Sequence, residues 1–218
     1  VDFYRACATS AMREAENRHD ICESILHNTG IDLEVISGKE EAKLIFSNFH
    51  LSSIDLEKNY IFIDVGGGST ELSLIQNNVK TSSKSFNIGS VRYLSGNEAE
   101  KVKIQMKSWL NDNYSKNEEI SAIGTGGSIN KLYNLSKHNF EQPMTYKSLN
   151  EIIKYISSYS YEDRIRVLKL KPDRADVIVP SGEIYKMVMS STGANEIIVP
   201  KVGLSDGIIY NLFLQKEL

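Results

Sequence analysis

Two cysteines, four prolines and one tryptophan in 218 residues leave several architectures without material. Cys7 and Cys22 are too few for a disulfide framework, so reduced thiols in the cytoplasm are the expectation. The histidines, His19, His27, His50 and His138, form no zinc-type pair and read as surface or incidental residues. No apolar run is long enough to span a bilayer, and no signal peptide is visible. A net charge of −3 provides no general attraction to a nucleic acid polymer or a membrane, so an anionic ligand has to be held by a local cluster of donors. Hydrophobic and charged fractions of 41% and 24% are ordinary for a folded protein with a real core and argue against disorder. There is no low-complexity tract and no short-period repeat.

The chain does have glycine where it matters. Tyr60-Ile-Phe-Ile-Asp-Val-Gly-Gly-Gly-Ser-Thr-Glu71 opens as a buried strand and ends in three glycines, two hydroxyls and a carboxylate. Glycines let the backbone turn and approach a ligand, and their N–H groups can then point at an anion. Asp64, at the strand's exit, is placed to hold a metal ion directly or through water. Glu71 begins the next apolar segment, so the unit reads as strand, phosphate turn, strand. In a Rossmann loop or P-loop the glycines open a helix instead. Ile120-Ser-Ala-Ile-Gly-Thr-Gly-Gly-Ser128 repeats the logic, but a helix follows at once, which makes an anion site. Two such loops in one domain, gripping an oligophosphate across a shared hollow with carboxylates at its reactive tip, are far more specific than either alone.

Upstream, small residues at Ala6–Ser10 read as a buried strand meeting a turn. Arg13 follows; a guanidinium near a hydroxyl-rich turn suits phosphate, although on its own it reads as a solvated helix arginine. A helix spans Asn17–Asn28 with Ile21, Ile25 and Leu26 on one face, a strand spans 31–36, and a helix opens at Lys39. Glu40 and Glu41 lie in its first turn, where the helix dipole favours carboxylates; spacing does not choose which of them faces a ligand. Residues 50–59 are a polar connection. Downstream, three antiparallel strands are expected up to Tyr93, then helices over 96–113, from Thr145 to Ile156, 161–170 and 181–190, a linker at 142–146, a strand at 195–200 and a last helix over 204–213. Trp109 belongs to the core rather than to a ligand platform.

The order from residue 58 onward matches half of the actin, sugar-kinase and heat-shock ATPase superfamily. Ala8-Thr-Ser-Ala-Met-Arg-Glu-Ala15, Val35-Ile-Ser-Gly-Lys-Glu-Glu-Ala-Lys-Leu-Ile45 and Ile63-Asp-Val-Gly-Gly-Gly-Ser-Thr-Glu-Leu72 resemble the Ppx/GppA family of exopolyphosphatases and guanosine pentaphosphate phosphohydrolases. Asn87-Ile-Gly-Ser-Val-Arg92, Gly124-Thr-Gly-Gly-Ser128, Pro172-Asp-Arg-Ala-Asp-Val-Ile178 and Gly203-Leu-Ser-Asp-Gly-Ile208 continue the match in order. The resemblance implies an α/β, actin-like (ribonuclease H-like) two-domain architecture: residues 1–57 as the C-terminal part of domain I, and 58–218 as domain II. The family's opening strand and Asp-Ile-Gly-Ser-Asn type loop have no counterpart here, so domain I is expected to be incomplete. That would leave a sheet edge for a partner or a homodimer.

By position, the resemblance implies that Glu41 orients the attacking water and that Asp64 and Glu71 hold Mg2+, Glu71 also helping to position water. It gives Gly66, Gly67, Gly68 and Ser69 one phosphate cradle and Gly126, Gly127 and Ser128 the second. Arg13, with Thr9 nearby, would clamp the terminal phosphoryl group, and Arg174 would reach the polyphosphate chain. The expected activity is release of orthophosphate from inorganic polyphosphate, with guanosine pentaphosphate as the alternative substrate. Binding without turnover and a sugar-kinase-like phosphotransfer are the alternatives of other classes.

Overall fold

The computed structural model describes residues 3–38, 40, 41, 44, 55, 58–77, 79–91, 93, 97–114, 119–136, 142–200 and 204–216. It divides into two compact units: residues 1–54 with 202–218, and residues 55–201. The sequence reading kept 58–218 together, whereas here 202–218 group with the first unit.

The first unit contains β1 (Ala6–Ala8), α1 (Ser10–Glu14), α2 (Arg18–Thr29) and β2 (Leu33–Val35). The two short strands pair in parallel, Ala6 opposite Leu33 and Ala8 opposite Val35, with α1 and α2 in the crossover between them. α2 ends where the sequence predicts, because Gly30 adopts φ 71° and its N–H caps the Leu26 carbonyl. Its expected apolar face is not core: no residue of α2 is buried, and Leu26 is 48% exposed. β1 is likewise only half-buried. Of the helix expected from Lys39, residues 40, 41 and 44 are helical and the remainder lies outside the described residues.

The second unit is built on one six-stranded sheet. In chain order its elements are β3 (Asn59–Val65), β4 (Thr70–Gln76), β5 (Val79–Phe86), α3 (Asn97–Asn113), β6 (Ile120–Thr125), α4 (Gly127–Leu135), β7 (Met144–Thr145), α5 (Tyr146–Ser157), α6 (Tyr161–Arg166), α7 (Pro172–Ala175), α8 (Ile178–Thr192) and β8 (Glu196–Ile198). The strands lie in the order β5-β4-β3-β6-β8-β7. β3, β4 and β5 form an antiparallel meander, while β6 joins β3, and β8 joins β6, in parallel. That order and sense are the ribonuclease H-like layer of actin-like proteins. The remaining helix, α9 (Leu204–Lys216), belongs to the first unit.

β3, β4 and β6 are buried along nearly their whole length, which is why they read as unbroken apolar runs rather than as alternation. One face, with Ile61, Ile63, Leu72, Leu74 and Ala122, packs into the same core as Met106 and Leu110 of α3, Ile129 and Leu132 of α4, Ile153 of α5 and Val188 of α8. Trp109 packs at the border of this core, edge-on to Phe86 at 5.9 Å.

Four local expectations change. The strand expected up to Tyr93 stops at Phe86, and the residues beyond it fold back on the glycine turn. The 142–146 linker supplies an edge strand, Met144 and Thr145 pairing with Ile197 and Glu196. The helix expected over 161–170 ends at Arg166, and Lys169 beyond it takes φ 53°. The helix expected over 181–190 begins earlier, at Ile178, because Pro180 falls in the first turn, where its missing N–H costs no hydrogen bond. Among the described residues, no helix is long and apolar enough to cross a membrane.

Candidate active site

In the second unit, both glycine loops leave the same end of the sheet. β3 and β6 are neighbouring parallel strands whose register runs from Asn59–Ile120 to Asp64–Thr125. Beyond that pair, β3 enters the Gly66–Ser69 turn and β6 enters the Gly126 turn into α4. Parallel strands align their C-terminal ends, so two loops far apart in sequence become adjacent. A Cβ at Gly126 would stand 3.2 Å from Asp64 Oδ1 and 3.3 Å from the Val65 carbonyl oxygen. Gly126 also holds φ 107°, which side-chain-bearing residues rarely adopt. The two loops therefore lie side by side at one end of the sheet.

The first loop is fastened through its carbonyls. Gly66 donates its N–H to the Ser69 carbonyl across the turn, and Ser90 and Val91 donate theirs to the carbonyls of Gly66 and Gly67, each at 2.9 Å. Among the described residues, the N–H groups of Gly67, Gly68 and Ser69 have no protein acceptor, which is the condition for an anion cradle. Gly89 allows this back-folding: a Cβ there would lie 2.5 Å from the Gly67 carbonyl carbon and oxygen.

Glu71 faces Asp64 directly across the β3–β4 ladder, and Ser85 faces Glu71 across β4–β5. With Thr125 opposite Asp64, a row of oxygen-bearing side chains crosses four strands on one face of the sheet. Glu71 is 4% exposed, and its Oε1 accepts hydrogen bonds from Ser69 Oγ at 2.7 Å and Ser85 Oγ at 3.0 Å. Those two hydroxyls hold the carboxylate in one orientation.

The second loop opens α4, with Gly126 as N-cap. Arg174, on α7, reaches it: its Nη1 donates to Ser128 Oγ at 3.2 Å, and a Cβ at Gly127 would lie 3.0 Å from its Nη2. A guanidinium against the positive end of a helix dipole is unfavourable unless an anion shares the place. Arg174, Gly127 and Ser128 thus come together as expected.

Tyr185 is the member that sequence reasoning missed. It lies on α8 and is fully buried. Its hydroxyl donates to the Thr125 carbonyl and accepts the Val65 N–H at 3.3 Å, joining the roots of both loops. Burial, followed by the nearby Asp64 charge, pushes the phenol well above its usual value, so it stays neutral and keeps its proton for Thr125; the Val65 N–H works in the other direction. A tyrosine in a mostly apolar helix carries no sequence signal of this kind, since it reads as core.

The first unit carries the other expected residues. Arg13 Nη1 donates to Glu41 Oε2 at 2.9 Å and to the Ile36 carbonyl at 3.0 Å. Arg13 is therefore not a solvated helix arginine: its side chain is 21% exposed and that of Glu41 is 13% exposed. Glu40, the neighbour that spacing could not separate from Glu41, bonds instead to Arg5, which also holds Glu34. Thr9 is the N-cap position of α1, and its carbonyl accepts the Arg13 N–H; its side chain makes no capping bond. Cys7 is half-buried in β1, and burial pushes its thiol up.

For a metal ion, no group of three or more His, Cys, Asp or Glu converges among the described residues. Two carboxylates facing each other, beside amides suited to phosphate, form the kind of donor set Mg2+ uses, because that ion keeps water and takes oxygens from its phosphate ligand. The residues present fit Mg2+ better than a metal that needs a closed protein cage.

Two glycine loops and two facing carboxylates thus meet at one end of a ribonuclease H-like sheet. The sequence profile of the Ppx/GppA phosphatase family matches residues 4–216. The chain belongs to that family. It is 29% identical over 88% of its length to the bifunctional 3-dehydroquinate synthase/phosphatase of Fusobacterium nucleatum. It is 23% identical over 94% of its length to exopolyphosphatase 1 of Mycobacterium tuberculosis, and 24% identical over 97% to the guanosine-5'-triphosphate,3'-diphosphate pyrophosphatase of Aeromonas hydrophila. The chain spans 32%, 65% and 45% of the lengths of those three relatives. The crystal structure of an exopolyphosphatase-like protein superposes with a TM-score of 0.83 at 22% identity, over all of this chain and 78% of that one, a likeness of fold.

Proposed function

We propose that this chain carries the phosphate-handling machinery of a phosphoanhydride hydrolase that releases terminal orthophosphate from inorganic polyphosphate. The observation that carries the reading is the union, at one end of the sheet, of two glycine loops with the facing carboxylates Asp64 and Glu71. In this reading the amides of Gly67, Gly68 and Ser69 hold the oxygens of one phosphate. The start of α4 holds those of a neighbouring phosphate, with Arg174 offsetting their charge. Asp64 and Glu71 would hold Mg2+, whose charge would offset that of the phosphate oxygens. The oxygen of an attacking water bonds to the terminal phosphorus and its proton goes to a carboxylate base, the role that the family resemblance implies for Glu41. The bridging P–O bond breaks, and the shortened chain leaves with that electron pair. The resemblance likewise implies Arg13 as the partner of the terminal phosphoryl oxygens.

A relative named for guanosine 5'-triphosphate 3'-diphosphate, matching 97% of the chain, supports that nucleotide as the second substrate to test. The experiment incubates the full chain with Mg2+ and long-chain polyphosphate and follows orthophosphate. Release that stops with chelator, is lost in Glu41→Ala and survives in Lys58→Ala supports the hydrolase. Polyphosphate bound without turnover refutes hydrolysis and leaves a binding role. ATP consumption only in the presence of a sugar refutes it in favour of a kinase.

A further inference from the structure

The Tyr185 hydroxyl sits at the last rung of the β3–β6 ladder. The register ends at Asp64–Thr125. In a parallel pair, the bond that closes this last rung runs from the Val65 N–H to the Thr125 carbonyl. The phenol binds both of those groups, accepting from one and donating to the other. It therefore ties the roots of both glycine loops to α8. Gly126, the residue that would continue the register opposite Val65, turns away at φ 107°, and a Cβ on it would come within 3.7 Å of the phenol oxygen.

We propose that Tyr185 is a positioning residue that sets the gap between the two glycine loops, so that both engage adjacent phosphates of one oligophosphate. The proposal rests on the reading of the loops as phosphate cradles and adds what fixes their spacing. Three features support it. The phenol is wholly buried, so its two bonds are not exchanged with water. It is neutral and so remains donor and acceptor at once. Its ring is packed in the central core, which anchors the hydroxyl to the most rigid part of the unit. Loss of the hydroxyl removes that tie to α8 and leaves the loop roots held by the strand pairing alone. The gap is then no longer fixed by the core, while each loop's own amides stay in place.

The test compares a ligand that spans two phosphate positions with one that fills a single position. Methylenediphosphonate, which cannot be hydrolysed at its bridge, and orthophosphate are titrated calorimetrically into the full chain with Mg2+ present. Wild type is expected to favour the diphosphonate. Tyr185→Phe is expected to lose about tenfold or more of that preference while orthophosphate binding stays within about twofold. A role confined to stability would lower the melting temperature and leave the ratio of the two affinities alone, and that result overturns the proposal. Tyr185→Met, which fills the same space without a hydroxyl, is expected to repeat the loss; a wild-type ratio in either folded variant refutes it. If wild type itself binds the two ligands equally, the underlying reading of two cooperating cradles falls, and the proposal with it. That failure is visible without any variant.

Discussion

Replacing Gly89 by alanine should damage the second unit out of proportion to one methyl group. The added Cβ would lie 2.5 Å from the carbonyl carbon and oxygen of Gly67 and 2.6 Å from the Gly66 oxygen. These are backbone atoms and cannot rotate aside. Restoring ordinary contact means moving the 89–91 segment by nearly an ångström, which breaks the bonds from Ser90 and Val91 to the loop, now 2.9 Å each. Two such bonds contribute about 1 kcal/mol each. The residual overpacking costs roughly 1–3 kcal/mol, and the reduced freedom of the unfolded chain returns about 0.5 kcal/mol. The net loss is about 2.5–4.5 kcal/mol, or a fall of about 8–14 °C in melting temperature for a protein of this size. The control lies in the same loop: a Cβ at Gly67 meets only Val91 Cγ2, at 3.7 Å, so Gly67→Ala should change stability by no more than about 0.5 kcal/mol. Calorimetry on both variants decides the matter. A Gly89→Ala protein melting within a degree of wild type, or a Gly67→Ala protein falling equally far, would refute the reasoning.

Arg174→Ala should weaken phosphate binding by about tenfold, the scale of one charge-assisted hydrogen bond, while leaving the melting temperature unchanged or raised, since it removes a cation from a helix N-terminus; calorimetric titration and thermal melts read both. Thr145→Ala removes the side-chain acceptor for the Ser148 N–H and should cost about 1 kcal/mol in urea unfolding, with Thr145→Ser restoring it. Hydrogen bonds from Arg5 hold the Glu34 carboxyl below its usual 4.5. That contribution is present above pH 4.5 and is lost as pH falls through the lower folded value. The stability difference between wild type and Arg5→Gln should therefore be flat from pH 7 to 5 and shrink below 4.5. It should not exceed about 1 kcal/mol for a pair this exposed. A difference that grows on acidification contradicts the pairing.

The two glycine turns were legible in the sequence because they reside in backbone freedom and in residue type. A triplet of glycines after an apolar strand can be read as a turn that approaches a ligand, and Asp64 and Glu71 flank it at fixed spacing. Thr145 as a helix cap and Gly30 as a helix stop are local, and they appear where the sequence places them. The 142–146 segment was less legible because an edge strand of two residues has no periodicity. Glu40 and Glu41 were indistinguishable because both suit the first turn of a helix. Only the partners separate them, Arg5 for one and Arg13 for the other.

By itself, then, the sequence determined the two glycine turns, the carboxylates that flank the first of them and the family, since each depends on neighbours along the chain. Tertiary structure decided what aligns and fixes those pieces: the parallel pairing that brings Gly126 beside Asp64, the back-folding that Gly89 permits, and the phenol of Tyr185 between the loop roots. Contacts between residues so far apart in the chain depend on packing of the whole sheet and its helices, and no local spacing encodes them.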